Sequence, residues 1–424
     1  MMRFLLKGIL RDKQRSLLPV IVVAIGVMLT VALFCWLTGI LSDSIELNAR
    51  FLTGHVKIMT AAYAKNIEQV PNDLALTGVD SLMIKLKNKF PDLKWGVRIH
   101  FGGLIDAPDS KGETRAQGPA IGFGIDLLSG DKSETERFNL AKSVRRGRLP
   151  AHSGEMLMSE EFSHKLKINP GDKVTFIGST MNGSMAMYNF IVCGTVDFGT
   201  GPMDQGSVII DLEDVRHALD MNNAAGEIVG YFSDNFYNED KVSQVVTKFN
   251  RLFPPSKDEF NPVIVTLRQQ LDLGNVMDQI KKVGGIVISI FVLSMSLVLW
   301  NAGLLGGLRR YTEFGTRLAI GEDYSHIYKT MIYESVLIGI IGSVIGALIG
   351  LSGSLYLQKH GLDLSSMMKN ATILMPTVFH SRITTPAFFI GFIPGLFSTV
   401  IGTMLSGIGI YKRKTAQLFK ELEA

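Results

Sequence analysis

The dipeptide Gly-Lys occurs nowhere in the 424 residues. The chain therefore has no Walker A loop, in which that lysine and the hydroxyl residue after it hold nucleotide phosphates. It also lacks the His-Glu-x-x-His pair of a zinc peptidase and the Gly-x-Ser-x-Gly elbow of a serine hydrolase. Its eight histidines are scattered, none within four residues of another, so no local metal-ligand spacing is present. These absences argue against an intrinsic enzyme and against a cofactor or metal in this chain, leaving open only a site assembled from distant residues. There are two cysteines: Cys35 lies in an apolar run and Cys193 in the polar middle, so no disulfide framework is expected. A net charge of +4 is too small to argue for a nucleic-acid partner. No tandem repeat is apparent, which excludes a repeat array.

What is present falls into two populations. Residues 17–41, 283–308, 332–357 and 386–411 are almost free of charge, and each run exceeds the ~20 residues a helix needs to cross a bilayer. They are read as four transmembrane helices, the first as a retained anchor because no small-residue cleavage site follows it. Basic residues crowd the N-terminal flank (Arg3, Lys7, Arg11, Lys13, Arg15), the second connection (Arg309, Arg310, Arg317, Lys329) and the C-terminal tail 412–424. By the positive-inside rule the termini and 309–331 are cytoplasmic, while 42–282 and the loop 358–385 lie outside. Lys281 and Lys282 run against the rule, but long translocated domains are largely exempt from it. Residues 1–16 mix apolar and basic positions, as an amphipathic segment in the headgroup layer would; a plain basic flank is the alternative.

The middle reads as an α+β domain. Strand-like 51–60, 97–107 and 120–127 surround a helix at 79–90, whose Leu82, Leu86 and Phe90 recur at helical spacing. Over about 126–225 the pattern shifts to strands broken by Gly and Pro (155–159, 173–178, 185–198, 207–212), a mostly antiparallel β-rich insert. A stalk helix over about 266–282 is expected to run without interruption into the second span. Met181, Met185 and Met187 fall in a loop before a strand, where ordinary packing is weighed above an apolar-ligand role or copper binding.

Within the spans, Gly342, Gly346 and Gly350 recur every four residues, as do Gly391 and Gly395, a spacing that lets helix backbones approach closely. Pro394 should kink the last helix. Glu334 is an acid near the start of an apolar span, where it serves either as an anchor at the positive helix end or in coupling and dimer contacts.

Two stretches resemble a known family. Glu313, Gly315, Arg317, Ala319 and Gly321 match the Glu-x-Gly-x-Arg-x-Ala-x-Gly pattern of FtsX-like permeases, which include MacB and the lipoprotein-releasing permeases LolC and LolE. The passage GRLPAHSGEMLMSEEFSHKLKINPGDKVTF (147–176) is similar to the periplasmic signature of the same family. The resemblance implies a bacterial inner-membrane, multi-pass permease subunit of an ABC transporter with a MacB-like periplasmic domain. It implies a second permease subunit, homo- or heterodimeric, and two copies of a separate ATPase that bring ATP and Mg. Arg309, Arg310, Glu313, Phe314, Gly315, Arg317, Ile320 and Gly321 would form the ATPase-coupling segment, with Phe314, Leu318, Ile320 and Ile327 offering an apolar face to a groove on that partner. Glu322-Asp323 departs from the small or basic residues usual in relatives. GHVKIM, Tyr63 and Pro71–Leu76 look more like LolE-type permeases than MacB, so lipoprotein or lipid cargo is preferred. The alternatives are MacB-like efflux with a periplasmic adaptor and FtsX-like regulation of periplasmic enzymes or signalling.

Overall fold

A computed structural model describes residues 13–49, 53–109, 111–198, 201–234, 236–270, 273–308, 310–363 and 378–412. Arg309, the N-terminal residues 1–12, half of the loop 358–385 (364–377) and nearly all of the tail lie outside the described residues. The chain divides into a helical unit (1–43, 278–367, 377–424) and a β-rich unit (44–277, 368–376).

In the helical unit the long helices are α1 (Lys13–Asn48), α6 (Leu273–Leu308) and α8 (Tyr324–His360), with a short α7 (Tyr311–Ala319) and a final α9 (Thr399–Lys412). Among the described residues, four helical stretches are long and apolar enough to cross a membrane: Leu17–Asp43, Leu273–Ala319, Tyr324–His360 and Ala387–Ile408. The Gly342, Gly346, Gly350 row of α8 lies directly on α1. A Cβ added at Gly342 would stand 2.7 Å from Val23 Cγ1, one at Gly350 3.0 Å from the Met28 carbonyl, and one at Gly346 would collide with the Ala24 carbonyl. Val23, Val27, Val31, Leu299, Ile338 and Ala387 fill the centre. Pro394 sits in a π turn, Ile393–Ser398, a local widening that accommodates the missing amide donor without ending the helix.

The β-rich unit holds a ten-stranded sheet: β1 (Val56–Thr60), β2 (Leu93–Pro108), β3 (Thr114–Ile125), β4 (Val144–Gly147), β5 (Glu155–Ser159), β6 (Lys173–Ser179), β7 (Met185–Val196), β8 (Ser207–Asp211), β9 (Glu227–Phe232) and β10 (Pro262–Thr266). The strand order is β10-β1-β9-β2-β3-β8-β5-β7-β4, with β6 bridging β2 and β7. Pairings therefore close a ring, β2-β3-β8-β5-β7-β6, which leaves those six strands few free edges. The strands of 126–225 do not stand apart as a separate layer but complete this ring, and two of their pairings, β3 with β8 and β5 with β7, are parallel. Alternation sorts the side chains: Met156, Met158, Val208 and Ile210 enter one core cluster, Leu157 and Ile209 a second on the opposite face. Helices α2 (Val79–Lys89), α3 (Glu160–Leu166), α4 (Leu212–Ala218) and α5 (Glu239–Leu252) contribute Leu82, Leu86, Phe162, Leu166, Val215 and Phe249 to the first cluster.

The stalk starts later than the apolar spacing suggested. Thr266 is paired with Val56 in the β10–β1 ladder, and Thr266 and Gln269 form a capping box around a 3-10 turn, Leu267–Gln269, so α6 begins only at Leu273.

Candidate functional site

Helix α7 carries Tyr311, Phe314 and Leu318 on one stripe at i, i+3 and i+7 spacing, the pattern that buries one helix face. Tyr311 and Phe314 are buried against Ile327 and Met331 of α8, with Leu318 and Tyr328 packed beside them. The Tyr311 hydroxyl donates to the Ser406 carbonyl at 2.6 Å, fixing α7 to α9 as well. This corrects the expected apolar docking face. Phe314 is 1% exposed and Ile327 fully buried, so both seat α7 on its own bundle and neither is available to a partner. The outward apolar group is Ile320, 82% exposed at the tip where α7 ends.

The tip has a defined shape. Gly321 adopts φ +99°, a conformation open to glycine and strained for other residues, while its amide donates to the Leu318 carbonyl and that of Glu322 to the Arg317 carbonyl. Asp323, extended, begins α8. The described part of the expected segment, 310–331, is thus α7 with its capping residue, a tight turn and the first two turns of α8.

Charge binds the base of α7. Arg310 donates from Nη1 to Glu334 Oε2 at 2.5 Å and from Nε to Glu313 Oε2 at 3.2 Å. Arg317 Nη2 reaches Glu313 Oε1 at 3.1 Å. A chain Glu334–Arg310–Glu313–Arg317 runs from α8 to the outer turn of α7, and all four side chains are partly exposed, between 18% and 36%. Sequence spacing offers the i, i+3 and i, i+4 pairs within α7 but gives no sign of the link to Glu334, twenty-four positions away. Gly315 is buried, and Gly342, Gly346 and Gly350 lie at the α1 contact described above, remote from this chain of charges along α8.

The second family-like stretch, 147–176, is closed on itself. Arg148 donates to both oxygens of Glu155, which also accepts the Ala151 amide at 2.8 Å and the His152 amide at 3.2 Å. The Arg148 guanidinium and these amides, opposed by desolvation, hold the Glu155 carboxyl down at about 2. Arg146 spans Glu160, Ser163 and Asn169, and Asp172 accepts the Asn169 amide at 2.8 Å. Gly147 at φ +77° and Gly171 at φ +105° turn the chain where the signature has glycine. Deeper in the same unit, Lys57 and His100 both pair with Glu227, while Arg98 and Arg137 pair with Glu134. Burial pushes the Glu227 carboxyl up, and the Lys57 ammonium and His100 ring beside it outweigh that, holding it well below the usual carboxylate range. Among the described residues no group of three or more His, Cys, Asp or Glu side chains could hold a metal ion.

Residues 285–415, which contain α7 and three of the four apolar helices, match the family model described as FtsX-like permease C-terminal. This part of the chain is an FtsX-like permease domain, the class to which the Glu313–Gly321 motif points. Among curated proteins the chain is similar to the lipoprotein-releasing system transmembrane protein LolC of Xylella fastidiosa, in strains Temecula1 and 9a5c, at 23% identity over 288 residues. Those matches cover 65% of this chain and 66% of each relative, so the chain spans just under two thirds of their length. Among solved structures, the periplasmic region of MacB from Actinobacillus actinomycetemcomitans overlaps 53% of this chain and 92% of its own, at 13% identity and a TM-score of 0.34, too slight a likeness to carry any argument. The FtsX-like domain and the LolC similarity agree with a permease of the FtsX and LolC type.

Proposed function

We propose that the chain is the membrane subunit of an ABC transporter and that α7 with its Gly321 turn docks a separate ATPase, two copies serving a permease dimer. The observation that carries this is the division of labour within α7: Tyr311 and Phe314 lock the helix to the bundle, and Ile320 is held outward on a turn whose backbone is fixed. A helix with one face anchored and an apolar knob at its tip can take a push from a partner and pass it to α8 and α9. ATP hydrolysis belongs to the partner in this reading, and the termini and α7 face the cytoplasm of a bacterial inner membrane.

An apolar cargo, lipoprotein or lipid, is supported by the outer face of the β-rich unit. Pro119, Leu104, Ile177 and Met187 lie side by side across β3, β2, β6 and β7, with Ile121 and Met185 adjoining. Met185 and Met187 are 75% and 62% exposed, so these thioethers are not core packing, and an exposed apolar row of this kind marks an interaction surface.

The test is co-purification of the ATPase with the full chain and with Ile320→Asp. The variant should insert normally and retain roughly a tenth or less of the ATPase, a loss on the scale of one well-packed apolar anchor. Undiminished co-purification would remove the docking role. Topology is read at an introduced Met187→Cys. Native Cys193 is unsuited, because burial and the neighbouring Glu155 push its thiol up to about 11. Labelling of residue 187 from the cytoplasmic side would reverse the orientation.

A further inference from the structure

A half-open cavity of about 600 Å³ lies in the helical unit, lined by residues of α1, α6, α7, α8 and α9. Its walls are apolar, with Leu18, Val22, Leu305 and Ile338 among them, and its one charged end is formed by Arg310, Glu313 and Glu334. That combination is amphiphilic. The size falls within the roughly 300–1,000 Å³ of ordinary ligand sites.

We propose that this cavity binds one zwitterionic phospholipid of the surrounding bilayer, with its ammonium on Glu334, its phosphate on Arg310 and one acyl chain along the apolar walls. Charge selects the headgroup. Two carboxylates and one guanidinium line the pocket and Arg317 balances Glu313 from behind, so this end carries both signs without net charge: it matches a headgroup that carries both charges and offers no net attraction to a lipid of net negative charge. The guanidinium uses Nε and Nη1 on Glu313 and Glu334, and Nη2 has no partner among the described residues, which leaves a donor for a phosphate oxygen.

Shape selects the tail. A helix with its side chains is roughly 10–12 Å across, so a volume of this size holds only about one helical turn, too little for an element of a second copy. A single acyl chain is thin enough to enter. The four apolar helices place phospholipid at hand, so the inference needs only that they lie in a bilayer and holds whether or not the ATPase docks at Ile320.

The headgroup would touch the node that ties α7 to α8. Occupancy would then compete with, or brace, the Arg310–Glu334 pair, making the posture of α7 sensitive to the lipid around it.

Native mass spectrometry of the full chain, delipidated in detergent and supplied with equal phosphatidylethanolamine and phosphatidylglycerol, is the direct test. One phosphatidylethanolamine per chain should be retained about tenfold in preference, a difference of the size one charge-assisted contact supplies. Glu334→Gln should erase that preference, and Val22→Trp, which fills the cavity, should abolish retention. Equal retention of the two lipids, or retention unaltered by either variant, would overturn the proposal, as would a change in oligomeric state by Val22→Trp with lipid still bound. Should both variants fail to fold, phosphatidylethanolamine with a photoreactive acyl chain decides on the unmodified protein. Adducts at Val22 or Ile338 support the site; adducts confined to outward residues such as Leu18 of α1 and Ile290 and Leu293 of α6 refute it.

Discussion

The β-rich unit and the α7 hairpin handle charge in opposite ways. In the β-rich unit Lys57, Arg98, Glu134 and Glu227 are each 3% exposed or less and are paired within the unit, and Arg148 of the 147–176 stretch, with Arg146 just before it, is spent on carboxylate and amide oxygens of that stretch. Buried pairs of this kind add little net stability, but removing one partner strands the other in a low dielectric. At α7 the pairs are partly exposed, surface-like and individually weak. The difference separates two motifs that look equally family-like as text: 147–176 closes its polar groups on its own unit, whereas 310–321 leaves an apolar tip and partly exposed charges on its surface.

The contrast is broken most severely at Glu227. Glu227→Gln preserves shape but leaves Lys57 buried beside a neutral amide, and about 3–5 kcal/mol of stability should be lost, read as earlier loss of tryptophan fluorescence on denaturant titration of the full chain. A loss under about 1 kcal/mol would mean that the network is not closed as described. Next in size, Phe314→Ala should cost about 3 kcal/mol by emptying the α7–α8 contact. It thereby weakens ATPase retention indirectly, whereas Ile320→Asp weakens it with the melting temperature unchanged. Equal melting temperatures for the two variants would erase the distinction between anchor and tip.

Acid sharpens the same comparison. Glu155 and Glu227 have carboxyls held below their ordinary value in the folded chain, so the unfolded state binds protons first as pH falls. Their contribution is complete above the unfolded value of about 4.5 and is lost as pH drops through the folded value, about 2 for Glu155. Unfolding of the β-rich unit should therefore set in between pH 4.5 and 2, with Glu155→Gln flattening that dependence. A stability profile flat across that window would show that the pairs do not persist in solution.

The sequence disclosed much of this by periodicity and little by partnership. Long uncharged runs announce membrane helices because no soluble fold needs them. The glycine row of α8 was legible for the same reason: a four-residue spacing defines one face whatever the neighbour is. Pairings across the chain were not legible. Lys57 in VKIMT and Glu227 in EIVGYF each read as lone charges in apolar strands, and only the β1–β9 pairing, which brings two segments 170 positions apart together, makes them a pair. The ring of strands was hidden likewise, since alternation assigns a face but not a neighbour. At α7 the spacing of Phe314 and Leu318 marked an apolar stripe correctly, but a stripe does not say whether it meets its own bundle or a stranger. Tyr311, whose hydroxyl needs the Ser406 carbonyl, was the available hint that the stripe turns inward.

The smallest expected effect is the most discriminating. Arg317 pairs with Glu313 at i, i+4 spacing and is 36% exposed, so Arg317→Ala should change stability by only about 0.3–0.5 kcal/mol, below what a melting curve of a membrane protein resolves. Glu313 keeps its second partner, Arg310, so no carboxylate is stranded. Any loss of ATPase retention in this variant must therefore come from a contact made by the guanidinium itself across the interface. Weaker retention that higher salt does not weaken further, against a salt-sensitive parent, would place Arg317 in that interface. Retention equal to the parent at every ionic strength would leave Ile320 as the docking element and reduce the α7 charges to a brace.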